Sequence, residues 1–152
     1  MVLKTIRFKH ARFSTRLPED YLYTPSHYWI APDPDAGDDV YRVGFTKFAT
    51  RMLGELVECN FDVKQGDPID AGDPIGNVEG FKALSDLFNM IDGEFIEGNP
   101  ALLADACIIR NDPYTVGWLY SAKGLPEENA VDVHGYIDIL NATIQKMLDA
   151  EK

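Results

Sequence analysis

Short runs of alternating apolar and polar residues dominate the chain up to about residue 123. A period of two places one face of a strand in the core and the other face in solvent. In one such run Val57, Cys59 and Phe61 alternate with Glu58 and Asn60. The pattern therefore predicts many short strands. They cover residues 26–30, 40–45, 57–61, 75–79, 84–88, 94–96 and 117–120.

Turn residues separate these strands at short intervals. Residues 32–39 form a loop of Pro, Gly and Asp, and Gly-Asp-Pro-Ile occurs at residues 66–69 and again at 72–75. Asp92 and Gly93 form a typical hairpin turn. Closely spaced turns favour hairpins, so we expect a β domain built as a sandwich or a flattened barrel.

Three segments have helical spacing instead. Residues 46–54 carry apolar side chains at helical intervals and end at Gly54, and residues 101–106 follow Pro100, which favours a first helical turn. From residue 133 to 148, apolar residues recur at intervals of three and four. The sequence thus predicts a mainly β fold with peripheral helices and a C-terminal amphipathic helix.

Charge divides the chain into parts. The net charge is −11, but the first sixteen residues carry +5, which leaves −16 for the remainder. Residues 1–20 alternate apolar and basic positions, which fits either an edge strand or a basic arm, and such an arm is either a docking element or a solvated tail. We divide the chain into residues 1–20, a central domain at 21–123 and a helical extension at 124–152. The basic residues are Lys4, Arg7, Lys9, Arg12 and Arg16.

Composition argues against several classes of partner. A net negative charge repels phosphates, so we expect no nucleic acid partner. No run approaches the ~18 apolar residues that cross a bilayer, and the first residues lack the apolar stretch of a signal peptide. We therefore expect no membrane partner and a cytoplasmic location. Cys59 and Cys107 are expected to be buried thiols without a disulfide.

No arrangement of residues indicates an enzyme. The chain has no Ser-His-Asp order signal and no glycine pattern of a nucleotide-binding loop. His10, His27 and His134 lie far apart, so no metal site is expected, and we interpret His27 beside Trp29 as structural. Lys82 lies between two predicted strands, so its ammonium should be exposed, although most such lysines are merely solvated.

Several segments resemble the glycine cleavage system H protein family in residues, order and spacing. They include Ser-His-Tyr-Trp-Ile at 26–30 and Glu-Gly-Phe-Lys-Ala-Leu-Ser-Asp at 79–86. The resemblance spans about residues 24–123, and agreement between separate segments makes it specific. The matching segments are residues 26–30, 43–46, 53–57, 78–87, 93–95, 111–114 and 117–119.

The resemblance implies a lipoyl-domain fold of the hybrid or barrel-sandwich type, with two antiparallel sheets. It implies that lipoate is attached covalently to Lys82 at a hairpin tip, near Glu79, Gly80 and Asp86, which a lipoate-attaching enzyme would read. A carrier of this kind is not an enzyme, because the cofactor does the chemistry while the protein supplies a rigid mount. Attachment as an amide removes the charge of the lysine.

The chain departs from the family at the cleft that shelters the loaded arm. Glycine-cleaving members normally carry Glu after the His of the Ser-His-x-Trp segment, and this chain has Tyr28. That Glu lines the cleft together with the residues matching Ser26 and Asp86, because a cationic amine there needs an anionic or hydrogen-bonding partner. Arg110 and Thr115 also replace the usual Asn and Gly.

These departures leave three functions open. Our main prediction is a lipoyl carrier that works with a heterodisulfide-reductase-like complex in the oxidation of sulfur compounds, because the lost carboxylate weakens the cleft for an amine. The alternative is a glycine cleavage H protein that carries an aminomethyl group among glycine decarboxylase, aminomethyltransferase and dihydrolipoyl dehydrogenase. The third is an unmodified structural or regulatory relative.

Overall fold

Three antiparallel sheets and four helices make up residues 3–151, the part of the chain that this computed structural model describes. The strands are β1 (Thr5–His10), β2 (Phe13–Pro18), β3 (Leu22–Tyr23), β4 (Tyr28–Pro32), β5 (Val40–Phe45), β6 (Leu56–Phe61), β7 (Pro68–Ile69), β8 (Pro74–Gly80), β9 (Leu84–Phe88), β10 (Ile91–Gly98) and β11 (Tyr120–Pro126). The helices are α1 (Lys47–Leu53), α2 (Ala101–Ala104), α3 (Ile108–Asn111) and α4 (Val133–Ala150).

The two larger sheets provide the main core. One has the strand order β3-β4-β5-β11-β10-β7 and the other the order β6-β8-β9. Side chains from both sheets, including Val43, Val78 and Leu87, are fully buried in one cluster. Each such burial contributes about 1.5–3 kcal/mol. The predicted mainly β architecture with two antiparallel sheets is therefore confirmed.

Strand β6 departs from the predicted alternation. Leu56 is buried, whereas Val57 is 50% exposed. The pairing of β6 with β8 shifts register between Leu56 and Glu58, and a bulge of this kind turns side chains to the other face. The predicted buried face of Val57, Cys59 and Phe61 is thus wrong at Val57.

The other differences are shifted boundaries and one wrong turn. The strand predicted at 26–30 begins at Tyr28 and runs to Pro32. Asp92 and Gly93, predicted as a hairpin turn, lie within β10 and pair with Leu125 and Gly124 of β11. Residues 117–119 precede β11, so the strand predicted at 117–120 begins three residues later and runs on to Pro126. α2 ends at Ala104, because the Asp105 backbone becomes extended. The short helix α3 was not predicted. The C-terminal helix is confirmed as α4, which buries Tyr136, Leu140 and Ile144.

The N-terminal residues form a hairpin of their own. β1 and β2 pair only with each other, so the expected edge strand or free arm is replaced by a separate two-stranded sheet. One face of this hairpin buries Phe8, Phe13 and Leu17 in a second core that includes side chains of α4. The division of the chain at residues 20 and 123 stays a prediction.

His27 joins α4 to the main body of the protein. Its Nδ1 lies 2.9 Å from the Tyr136 hydroxyl, and its ring lies against Phe48, with 4.7 Å between the ring centroids. Its backbone adopts φ 73°, a left-handed conformation that few side chains accept. These contacts fit the structural role expected for His27.

Acid should destabilise the protein through His27. Burial lowers the pKa of His27 to about 4, whereas an unfolded histidine has a pKa of about 6.5. The unfolded chain therefore takes up this proton first, and stability is lost as the pH falls from 6.5 to 4, by about 3 kcal/mol at most. In urea titrations between pH 6.5 and 4, the free energy of unfolding should fall less in His27→Asn than in the wild type, because Asn accepts the left-handed conformation and does not titrate. His134→Asn, on the exposed face of α4, is the control, and its free energy of unfolding should depend on pH as that of the wild type does. If His27→Asn shows the same pH dependence as the wild type, His27 is not the cause of the acid sensitivity.

Candidate functional site

Lys82 lies at the tip of the hairpin that joins β8 and β9. The Gly80 N–H donates to the Ala83 carbonyl oxygen at 2.9 Å, which closes the loop around Phe81 and Lys82. Both intervening side chains are exposed. The structure thus presents the Lys82 side chain to solvent, as the sequence predicts.

The hairpin tip is fixed to the C-terminal end of α1. The Phe81 N–H donates to the Glu55 carbonyl oxygen at 2.9 Å, and the Lys82 N–H donates to the Leu53 carbonyl oxygen at 3.0 Å. Gly54 caps the C-terminus of α1 with φ 79°, and a Cβ there would lie 2.9 Å from Cγ of Lys82. Helix end and hairpin tip are therefore held together through their backbones.

The Lys82 amine is accessible for acylation. Its Nζ donates to the Arg51 carbonyl oxygen at 3.3 Å and forms no ion pair with any carboxylate in residues 3–151. An amide at Nζ would keep one N–H, so this hydrogen bond could survive modification. The residues present fit the lipoyl group that the resemblance implies.

The three residues expected to mark the tip share its hairpin. Glu79 on β8 and Asp86 on β9 are both exposed. Gly80 approaches α1 so closely that a Cβ there would lie 2.2 Å from the Leu53 carbonyl oxygen. Glu79 and Gly80 thus lie within three residues of Lys82, and Asp86 lies further along β9.

The sequence reasoning missed an exposed apolar patch around the tip. Phe81 is 75% exposed and Leu84 is 72% exposed, on either side of Lys82. Exposed apolar side chains on either side of the lysine offer contact area to a protein that approaches the tip. Two large apolar residues flanking a lysine in a turn were the signal in the sequence.

The proposed arm cleft is only partly assembled. Tyr28 is 3% exposed, and its hydroxyl accepts a hydrogen bond from the Phe88 N–H at 3.0 Å. Ser26 is exposed and its Oγ lies 3.7 Å from Sδ of Met90. Burial raises the pKa of Tyr28 to about 12, and the nearby Asp86 contributes to this rise. Position 28 therefore supplies a neutral, buried hydroxyl, and the anion near it is Asp86.

A second feature missed by the sequence reasoning is a groove of about 250 Å³ beside Lys82, which we call the basic groove. It joins residues that are distant in the chain, from β2, α1, the hairpin tip and α3. Local sequence patterns carry no signal for such a convergence. Its lining residues are Phe13, Ser14, Lys47, Thr50, Arg51, Lys82 and Arg110.

Two features are absent from residues 3–151. No group of three or more His, Cys, Asp or Glu side chains is placed to hold a metal ion. In the same part of the chain, no helix has the length and apolar character needed to cross a membrane.

Comparisons with known proteins agree with this geometry. Residues 21–141 match the family model described as "Glycine cleavage H-protein". Glycine cleavage system H proteins of Corynebacterium jeikeium and Bacteroides fragilis are 34% and 36% identical to the chain, over 80% and 82% of its length and 95% and 98% of theirs. The crystal structure of the glycine cleavage system H protein from Mycobacterium marinum matches with a TM-score of 0.71 and 35% identity, over 80% of this chain and 97% of that one. The chain belongs to the glycine cleavage H-protein family, whose members are non-catalytic carriers of a lipoyl group on a lysine.

Proposed function

We propose that Lys82 bears the lipoyl group and that the protein carries an aminomethyl group between the enzymes of glycine cleavage. The observation that carries the proposal is the hairpin tip: an exposed amine on a backbone that two hydrogen bonds fix to Leu53, the last residue of α1, and to Glu55 just after it. The relatives named above are all glycine cleavage system H proteins, which supports this pathway over sulfur oxidation.

The protein's own part is to position the arm. When attached, a lipoyl group supplies a disulfide that opens to two thiols, accepts a group on sulfur and is reset by two-electron oxidation. The fixed tip limits motion at the anchor, so the reach of the arm is set by its own length and by the Lys82 side chain. Rigid mounting and free reach are what a group carrier requires.

The surface around Lys82 is proposed to be read by the enzymes that handle the arm. Glu79, Gly80 and Asp86 lie on the same hairpin, and the exposed Phe81 and Leu84 add apolar contact area. A lipoate-attaching enzyme must approach this tip to acylate the amine. The partners in the cycle would be glycine decarboxylase, aminomethyltransferase and dihydrolipoyl dehydrogenase, and we place the protein with them in the cytoplasm.

One observation favours a second candidate. Position 28 holds a buried tyrosine, where glycine-cleaving members normally have a glutamate, so the cleft has less negative charge for a cationic amine. Sulfur-compound oxidation with a heterodisulfide-reductase-like complex is therefore kept as the alternative. None of the named relatives belongs to that branch.

The two candidates predict different loading reactions. Lipoylated protein incubated with glycine, pyridoxal phosphate and glycine decarboxylase from the same organism should acquire an aminomethyl group on the arm, detected as a mass increase. The Lys82→Arg protein, which lacks the arm, is the control and should show none. If wild-type protein is lipoylated but not loaded, while it supports turnover by the heterodisulfide-reductase-like complex, the glycine assignment is wrong.

A further inference from the structure

The basic groove opens directly beside the anchor of the arm. Lys47 and Arg51 come from α1, Arg110 comes from α3, and Lys82 closes one side. The lining of this groove, all of it within residues 3–151, contains no Asp or Glu. Four cations thus surround one small concavity in a chain whose net charge is −11.

Lys47 and Arg51 are held in place by contacts other than ion pairs. Lys47 Nζ donates to the Arg110 carbonyl oxygen at 3.2 Å, and the Arg51 guanidinium lies 5.6 Å from the centroid of the Phe13 ring. In the described part of the chain, the ion pairs within 4.0 Å connect Arg42 to Asp33 and Asp35 and include none of the groove cations. Their charges remain available to an outside partner.

The N-terminal hairpin extends the positive surface. Ser14 lines both the basic groove and a shallower depression formed with Arg7, Thr15 and Arg16. Arg7 and Arg16 are direct cross-strand partners. Like charges placed opposite each other cost stability, so this arrangement is unfavourable for the isolated hairpin. An anionic partner would offset that cost.

The N-terminal hairpin lies outside the part of the chain that matches the family, whereas the four groove cations lie within it. The family match begins at residue 21, so β1 and β2 precede the matched region. The hairpin is nevertheless packed firmly, because Phe13 contacts Phe48 of α1 edge to face, with 5.5 Å between the ring centroids. The hairpin therefore has a fixed position next to the tip that carries Lys82.

We propose that the basic groove and the outer face of the N-terminal hairpin form an electrostatic docking surface for a carboxylate-rich rim on the lipoate-attaching enzyme. This inference rests on the proposed function of Lys82. An enzyme that acylates Nζ must bring its active-site entrance to the tip, and its rim then faces the groove. Carboxylate side chains fit a concavity of about 250 Å³ and complement four cations. Complementary charge at such a rim acts mainly on the rate of association and is screened by salt.

The test measures the rate of lipoylation of the full chain by its attaching enzyme at low ionic strength. Arg110→Gln and Arg16→Gln should each lower kcat/KM about two- to fivefold, and together about tenfold, because each removes one attractive charge. Lys123→Gln, which removes an exposed charge from β11 outside the groove, is the matched control and should keep the wild-type rate. Raising the ionic strength from about 0.02 M to about 0.3 M should slow the wild type and remove the differences.

The possible outcomes separate this inference from the function on which it rests. If wild-type protein is not lipoylated at Lys82 at all, the proposed function fails and the docking surface fails with it. If it is lipoylated but the variants have the wild-type kcat/KM at low ionic strength, the docking surface alone is overturned. The same holds if their kcat/KM stays below that of the wild type by the same factor at high ionic strength. Inhibition by inorganic phosphate beyond that of chloride at equal ionic strength would assign the groove to a small anion and would also overturn the proposal. Unchanged thermal unfolding midpoints in the variants exclude a loss of fold.

Discussion

Replacing Lys82 with arginine is expected to leave a folded protein that carries no lipoyl group. A guanidinium stays protonated at neutral pH and is not acylated, while it keeps the positive charge and most of the length of the lysine. The exposed position of the side chain makes a loss of stability above about 0.5 kcal/mol unexpected. The intact mass of protein isolated from its native host should lack the lipoyl increment, and pathway flux in that host should fall to the level of a deletion.

The control for this experiment is Lys146→Arg, on the exposed face of α4. It should retain both the mass increment and the flux. A lipoyl increment that persists in Lys82→Arg would place the attachment elsewhere. If even the wild-type protein from its host lacks the increment, the chain is an unmodified relative and the carrier role is wrong.

Local sequence patterns predicted most strands of the core domain, because alternation and flanking turn residues mark a strand wherever its partner lies. β8 and β9 are joined by a three-residue turn and pair with each other, whereas β10 pairs with β7 and β11, which no local pattern predicts. The bulge in β6 shows the limit of this reasoning. Alternation counts positions, and a register shift at Leu56 moves the face without changing the composition.

The N-terminal hairpin could not be predicted in the same way. Its burial depends on α4, more than one hundred residues away, and His10 Nδ1 contacts the Asn141 side chain at 2.8 Å. Residues 1–20 alone are compatible with a strand or an arm, since their apolar face has no local partner. Only the fold shows that the C-terminal helix supplies it.

The candidate site also combines residues that are close in the sequence with residues that only the fold brings together. Glu79, Gly80 and Lys82 lie within four consecutive residues, so the resemblance located them together. The basic groove combines Ser14, Lys47, Arg51 and Arg110 from three separate segments, and no local pattern connects them. The part of the site that is read from sequence is therefore the anchor, and the part that needs the fold is the surface around it.

Replacing Gly80 with alanine should detach the hairpin tip from α1. Two effects oppose each other: alanine restricts the unfolded chain, which stabilises by about 0.4–1 kcal/mol, but its Cβ would lie 2.2 Å from the Leu53 carbonyl oxygen. That contact is with backbone, so the tip must move, and overpacking of this kind costs about 1–3 kcal/mol. The clash is the larger effect, and the movement weakens the hydrogen bonds from the Phe81 and Lys82 N–H groups to α1. Urea titration should therefore show a net loss of about 1–2 kcal/mol in the free energy of unfolding.

Lipoylation should fall more steeply than stability in Gly80→Ala, because the attaching enzyme meets a displaced tip while most of the protein remains folded. We expect at least a tenfold lower kcat/KM, about the effect of 1.4 kcal/mol on the barrier. Gly37→Ala is the matched control, since nothing lies within 4 Å of its added Cβ, and it should preserve both stability and rate. A Gly80→Ala protein with wild-type stability and wild-type lipoylation would mean that the contact between the hairpin tip and the end of α1 does not position Lys82. The enzyme would then recognise the hairpin alone.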